Sequence, residues 1–469
     1  MTVGVRNGIA GALTAASVLV GAATQSSAET LADALVSAYN NSNLLEQNRA
    51  VLRATDEDVA TAVSALRPTL DYVAAVDWSR NFDASFVQQD DTVTNTLGLT
   101  ADLTLYEFGR NRLSIEAAKQ SVLATRQALI NVEQQVLFSA IVAYMDVIRA
   151  IEFVDLRRNN VRVLTEEVRA ANDRFEVGEV TRTDVAQAES RQAEAQASLV
   201  AAEGDVETAR ESFNLAVGRF PGSLAAPPPL PRTADTLEAA RTVALRGHPQ
   251  ILQAQRLVSV ADLNVARAEA SILPRLSANA DLGWSDGTGS ASGDLEPTAT
   301  FGLELRGPIY RGGALNSAFR STVAQRDQNR ANLLQTTKVI SENLGVAWSQ
   351  VQVAQAVLRS TLRQIDAARI AFEGVREEAS LGARTTLDVL NAEQELLDAQ
   401  GLRIDANRQQ QVAIYGLLSA MGMLTADSLG LNVVAYDPEA YYDAVRTAPP
   451  IGSPQGIKLD RVLRNIGRN

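Results

Sequence analysis

The chain has 469 residues, 46% of them hydrophobic, with 43 Lys and Arg against 55 Asp and Glu and a net charge of −12. That is length for two or three ordinary domains, and an acidic chain without a basic cluster is no nucleic-acid binder, because phosphate affinity comes from Lys and Arg. The complete lack of cysteine excludes disulfides, zinc–thiolate sites, thiol catalysis and a lipoprotein-type N-terminal anchor.

Residues 1–28 read as a signal peptide. Arg6 supplies the positive start, Gly8 to Ala23 the small and apolar stretch, and Ser26-Ser27-Ala28 the cleavage site, so the mature chain begins near Glu29. The alternative, an uncleaved anchor helix, has an apolar core that is short for a bilayer. No later stretch approaches twenty apolar residues. The exported chain is therefore soluble, or it crosses a membrane as strands.

From Glu29 onward the sequence is written twice. Thr30-Leu31-Ala32-Asp33-Ala34 is similar to Thr236-Leu237-Glu238-Ala239-Ala240, and Leu66-Arg67-Pro68-Thr69-Leu70 to Ile272-Leu273-Pro274-Arg275-Leu276. Trp78-Ser79 repeats as Trp284-Ser285, Tyr106 as Tyr310, and Gly178, Asp184, Val185, Ala188 and Glu189 as Gly382, Asp388, Val389, Ala392 and Glu393. Such self-similarity at a near-constant offset marks two copies of one structural unit. The first spans 29–220 and the second 236–424, with a Pro-rich linker, 221–235, between them.

Each repeat is expected to run helix, strand pair, very long helix, tight turn, long helix. In the first, strands fall at about 69–80 and 92–106 and long helices at about 111–177 and 182–217. From Arg110 to Val177 there is neither Gly nor Pro, and at 1.5 Å per residue such a run makes a rod roughly 100 Å long. The returning helix carries Val185, Ala188, Gln192, Ala195, Leu199, Ala202, Val206, Ala209, Phe213 and Ala216 at 3-4 spacing, a coiled-coil seam of mostly small residues. In the second repeat the strands fall at about 275–285 and 297–310 and the long helices at about 314–379 and 386–421. A segment at 425–446 is expected to wrap the equator of the helices, and 447–469, with Pro449-Pro450, to be a flexible tail.

The strands alternate with period two. Leu70, Tyr72, Ala74, Val76 and Trp78 alternate with Asp71, Val73, Ala75, Asp77 and Ser79, and the other three strands follow the same rule. Stretches of this length suit tilted membrane strands. A soluble sandwich would need a second apolar layer, and the rest of the chain is committed to helices. Four strands cannot close a barrel, and open edges are not viable in lipid. The chain must pool strands with other copies; geometry alone leaves two, three or four copies open. The polar loops Arg80 to Asp91 and Asp286 to Glu296 then form the extracellular ends.

The repeat, the Leu273-Pro274-Arg275-Leu276 approach to a hairpin, and the turns Phe175-Glu176-Val177-Gly178-Glu179-Val180-Thr181-Arg182-Thr183-Asp184-Val185 and Ser380-Leu381-Gly382-Ala383-Arg384-Thr385-Thr386-Leu387-Asp388-Val389-Leu390 together resemble the TolC-type outer-membrane efflux factors. The resemblance covers nearly the whole mature chain. It implies a mainly α fold with a membrane β-barrel: a homotrimer whose four strands per chain complete a twelve-stranded barrel in outer-membrane lipid, and whose long helices form a periplasmic α-barrel. It also implies a periplasmic adaptor and an inner-membrane pump or ABC exporter as partners, and a passive exit duct rather than an enzyme, with no cofactor. The turns become adaptor-docking tips, with Val177, Gly178, Leu381 and Gly382 at the contact. Thr183, Asp184 and Arg384 match the family's closing contacts, and Asp388 an aspartate ring at the entrance. Two positions depart from the pattern: a second ring aspartate is here Asn391, and a tyrosine of the closing network is here Ala379. A less latched gate and a less negative mouth follow. The plainer reading makes Asp184 and Asp388 helix caps and Arg384 a surface residue.

Other motifs carry little. His248, the single histidine, cannot build a metal cluster or a triad on its own. Gly307 to Gly313 lacks the lysine of a phosphate loop and reads as a strand exit. The competing class is a periplasmic or surface coiled-coil structural protein without channel activity.

Overall fold

The computed structural model describes residues 28–82, 89–287, 296–450 and 452–466. The signal peptide, apart from Ala28, and the centres of both inter-strand loops lie outside the described residues. In chain order the elements are α1 (Leu31–Asn41), α2 (Asn43–Ser64), β1 (Thr69–Phe82), β2 (Gln89–Tyr106), α3 (Arg110–Glu176) and α4 (Arg182–Val217). The same six follow again as α5 (Leu237–Gly247), α6 (Pro249–Ala270), β3 (Arg275–Gly287), β4 (Glu296–Arg306), α7 (Ala314–Ser380) and α8 (Thr386–Ala420). Two helices close the chain, α9 (Pro438–Val445) and α10 (Pro454–Ile466). The stretch 447–469, expected to be flexible, thus contains a helix.

Residue chemistry sets the ends of the rods. Gly109 and Gly313 sit at the N-caps of α3 and α7 with φ of 82° and 83°, a left-handed turn that glycine adopts without steric penalty. Both helices have 67 residues and lie 204 positions apart from first residue to last. At 1.5 Å per residue each is about 100 Å long. Rods of this length have no globular core to lie on, so each packs against its return helix. On α4, Ala188, Ala195, Ala202 and Ala209 are buried at a seven-residue interval, which keeps one narrow face on α3. The polar member of that seam, Gln192, donates to Thr165 Oγ1 at 2.8 Å.

The widest core lies midway along the helices, around Tyr144, Leu137, Ile141 and Phe213. The segment that begins at Glu29 is tied in here. Glu29 forms a parallel bridge with Leu224 of the linker, and Arg219 pairs with its carboxylate at 2.6 Å. His248 caps α6: its Nδ1 accepts from the Gln250 amide at 3.2 Å, with Pro249 as the first helical residue. It is buried, and burial lowers its pKa.

The strands form one antiparallel meander in the order β1-β2-β3-β4. Directly opposed residues share a face, so the register sorts the sheet. Tyr72, Leu99, Leu282 and Ala299 make one row, and Leu70, Ala101, Ala280 and Phe301 the next. Asp71, Thr100, Asp281 and Thr300 make a row on the opposite face. One face is thus apolar and, in a single chain, bare: Tyr72, Leu70, Phe301 and Leu303 are all exposed. Both outer strands, β1 and β4, have an unpaired edge within the chain.

Candidate gate and docking tips

The two far tips are built alike. After α3, the Gly178 amide donates to the Phe175 carbonyl at 3.0 Å and the Glu179 amide to that of Arg174 at 2.9 Å. After α7, Gly382 donates to Ala379 at 3.1 Å and Ala383 to Glu378 at 2.9 Å. These are the paired bonds of a Schellman stop, which needs a left-handed residue at the glycine; φ is 79° and 78° there. Three residues later a capping box starts the return helix. The Asp184 carboxylate accepts from the Thr181 amide at 2.9 Å, and that of Asp388 from the Thr385 amide at 3.0 Å. The Thr181 hydroxyl and backbone hold Asp184 below its ordinary pKa, and the Thr385 backbone and hydroxyl do the same for Asp388. Each tip presents one bare apolar side chain before its glycine, Val177 at 71% and Leu381 at 79% exposure.

The closing contacts implied by resemblance are not joined within the protomer. Arg384 donates from Nε to Glu378 at 2.9 Å, on its own hairpin, and that contact raises its pKa. Asp184 serves its own helix start, and Thr183 and Asn391 are exposed. The bonds that join the two hairpins lie farther up, where α3 runs antiparallel to α8. Asp146 bonds to Arg408, Arg149 pairs with Asp405 at 2.5 Å, and Arg403 approaches Glu152 to 4.0 Å. Nearer the tips, Asn160 donates to Glu393 at 2.5 Å, and Arg376 of α7 approaches Glu167 to 3.6 Å. Together these contacts form a polar ladder along one seam.

Glu393 is the buried rung. Asn160 and Glu167 face it from α3, Arg191 from α4, and Arg376 stands beside Glu167 on α7. Desolvation pushes its pKa up from 4.5 to about 7, with Asn160 and Arg191 opposing and Glu167 adding to the rise. Sequence reading missed the ladder because its partners stand more than two hundred residues apart. One signal was available. At the offset of 204, Asp146, Arg149 and Glu152 of α3 become Gln350, Val353 and Ala356 of α7, and Arg403, Asp405 and Arg408 of α8 are Leu199, Ala201 and Gly204 of α4.

Among the described residues no group of three His, Asp or Glu side chains could hold a metal ion, and no helix is long and apolar enough to cross a membrane.

A family model described as outer membrane efflux protein matches residues 34–219 and 241–423, one match on each repeat. The chain is 38% identical over 440 residues to the outer membrane efflux protein BepC of Brucella suis biovar 1 (strain 1330), covering 93% of this chain and 94% of that protein. It is 24% identical over 466 residues to the outer membrane protein TolC of Escherichia coli (strain K12), covering 93% and 90%. Its fold matches the crystal structure of the Campylobacter jejuni CmeC outer membrane channel with a TM-score of 0.72 at 16% identity, over 90% of each chain.

Proposed function

The chain belongs to the outer membrane efflux protein family, and on that premise we propose that it works as a homotrimeric channel-tunnel. It is the passive exit duct of a tripartite efflux pump or a type I secretion system, energised by an inner-membrane pump or ABC exporter through a periplasmic adaptor. The observation that carries this reading is the sheet. Its apolar face is bare and both its edges are unpaired, a combination stable in lipid only when strands from other copies close the ring. Three copies of four strands make a twelve-stranded barrel, with the Asp71–Thr100–Asp281–Thr300 row facing the lumen.

The repeat supports an assignment of the helices that meet between copies. Within the protomer α3 packs on α8; their counterparts α7 and α4 share no such seam. In the trimer α7 lies on α4 of the next copy, and the exposed Val346, Val353 and Val357 of α7 and Val200 of α4 supply an apolar joint. The two kinds of seam then differ in chemistry. Copies are held together by apolar burial, whereas the hairpins within a copy add the polar ladder to the apolar contacts of Leu390, Tyr415 and Leu418. Cargo passes when the ladder lets the hairpins part, and the adaptor acts at Val177–Gly178 and Leu381–Gly382.

Detergent extraction from outer membranes followed by planar-bilayer recording tests this. We expect a heat-modifiable oligomer with three-fold mass that conducts ions. A water-soluble monomer without conductance would replace the duct with a coiled-coil structural protein.

A further inference from the structure

The C-terminal segment climbs α2 toward the sheet. The Tyr436 amide donates to the Tyr39 hydroxyl at 3.4 Å, and the Arg49 guanidinium lies 5.2 Å from the Tyr436 ring centre. Higher up, the Tyr441 hydroxyl donates to Glu57 at 2.7 Å. Arg67 donates to the carbonyls of both Thr447 and Ala448. From Arg49 to Arg67 the segment rises roughly 25 Å at 1.5 Å per residue. It arrives two residues below Thr69, the first residue of β1, and hence at the foot of the apolar belt that begins with Leu70.

Helix α10 starts from that foot. Its first turn is held down, because Gln455 donates to the Ala444 carbonyl at 2.7 Å and the Gly456 amide donates to Ser453 Oγ at 3.0 Å. Among the described elements its main packing is against α9. Its sequence is amphipathic: apolar residues recur at 459, 462, 463 and 466, the spacing of one helical stripe. In a chain with a net charge of −12, α10 carries Lys458, Arg461 and Arg464 against Asp460 alone. On that stripe Val462 is 50% exposed.

We propose that α10 lies on the periplasmic leaflet of the outer membrane, its apolar stripe at the acyl boundary and its Lys and Arg side chains on anionic phospholipid headgroups. This rests on reading the sheet as a sector of a lipid-embedded barrel. Three facts select a lipid surface as the occupant. The helix starts level with the lower rim of the belt, its charge opposes that of the rest of the chain, and a basic amphipathic helix is the form that binds such interfaces. In a chain with no cysteine for lipidation, it gives the duct a second hold on the membrane beside the barrel.

The absence of cysteine also makes the test clean. Val462→Cys, Lys458→Cys and Leu99→Cys, each in the full-length oligomer, take a single nitroxide label. The labelled proteins are reconstituted in vesicles of phosphatidylethanolamine with phosphatidylglycerol. We expect the labels at 462 and 99 to be reached by oxygen and shielded from a nickel chelate, and the label at 458 to be open to the chelate. Combining Lys458→Glu, Arg461→Glu and Arg464→Glu with Val462→Cys should return the label at 462 to water, with the label at 99 unaffected. A label at 462 that is chelate-accessible in the anionic vesicles while 99 reports lipid overturns the anchor and spares the barrel. A label at 462 shielded from both probes places α10 against protein and also overturns it. A label at 99 that reports water removes the barrel reading, and the anchor with it.

Discussion

Glu393→Gln removes the titrating rung of the ladder and keeps an acceptor for Asn160. In the closed seam Glu393 is buried and its pKa rises from 4.5 to about 7; with the hairpins apart the group stands in water and returns to the ordinary range. The closed state therefore holds the proton more tightly. Its advantage is complete below about pH 4.5 and is lost as pH rises through about 7, when a carboxylate must ionise beside Glu167 in a desolvated seam. At 1.36 kcal/mol per tenfold change in proton affinity, the difference is at most about 3 kcal/mol per copy, and partial hydration of the seam lowers it. Even about 1 kcal/mol per copy, summed over a trimer, shifts a closed–open equilibrium by about two orders of magnitude. Single-channel recording between pH 5 and pH 8.5 reads this directly. We expect wild-type conductance to rise with pH through the neutral range, and Glu393→Gln to stay low and nearly flat. A Glu393→Gln channel with the wild-type pH profile would refute the assignment of the seam as the latch.

Five further outcomes follow. Leu99→Arg should block assembly, since a lipid-facing cation near mid-bilayer costs about 2–4 kcal/mol per copy, while Thr100→Arg, on the opposite face, should assemble; heat-modifiable oligomer on gels distinguishes them, and equal tolerance would reverse the sheet. Gly178→Asp with Gly382→Asp should abolish export and leave oligomers in the membrane: nothing lies within 4 Å of either added Cβ, so the fold bears only about 1–2 kcal/mol of left-handed strain at each site, and normal export would move docking elsewhere. Arg384→Ser should raise single-channel conductance and leave assembly intact if Arg384 latches to Asp184 and Thr183 of a neighbouring copy, whereas unchanged conductance would leave Arg384 only its bond to Glu378 on its own hairpin; Asp388→Asn should reduce cation selectivity if the mouth carries a carboxylate ring. Val353→Arg should release monomers in mild detergent, and intact oligomers would place the joint between copies away from α7.

The long helices and the strand pairs were legible because their signals are local and repeated. A glycine-free run of 67 residues, a two-residue alternation and a left-handed glycine before a Thr-x-x-Asp start each dictate a conformation within one segment. The repeat then corroborated the alternation and the turns, while its own long helix carries Gly345 and Gly374. The tips were half legible. Asp184 and Asp388 carry the chemistry of a cap and of a charged ring alike, and only coordinates show both carboxylates bonded to the Thr three residues earlier, at 181 and 385. The ladder was not legible. A charged residue on a long helix looks the same whether it meets water or a partner, and the register of α3 against α8 is a tertiary fact. The foot of α10 was hidden for another reason: Pro449-Pro450 reads as the end of order, while the contacts of Arg67 that fix the segment come from a residue nearly four hundred positions earlier.

A tube made from a duplicated chain has twice as many seams as copies, and selection can treat the two kinds separately. Apolar contact is undirected and gains with area, so it suits the seam that must form between separate molecules and then stay shut. Polar rungs are directional. Each one lost in the open seam is replaced by water, so the net difference is small, about 0.5–1.5 kcal/mol for an ordinary hydrogen bond. The substitutions at the offset of 204 are in line with this division: Arg149 and Asp405 lie on the seam within the copy, and Val353 and Ala201 take their places at the seam proposed between copies. A partner seated on Val177 and Leu381 holds the free ends of the two hairpins and acts on the ladder from its open end. On the proposed trimer, Glu167–Arg376 would part first and Asn160–Glu393 next, each at a cost that docking could offset, while the apolar joints between copies would stay shut.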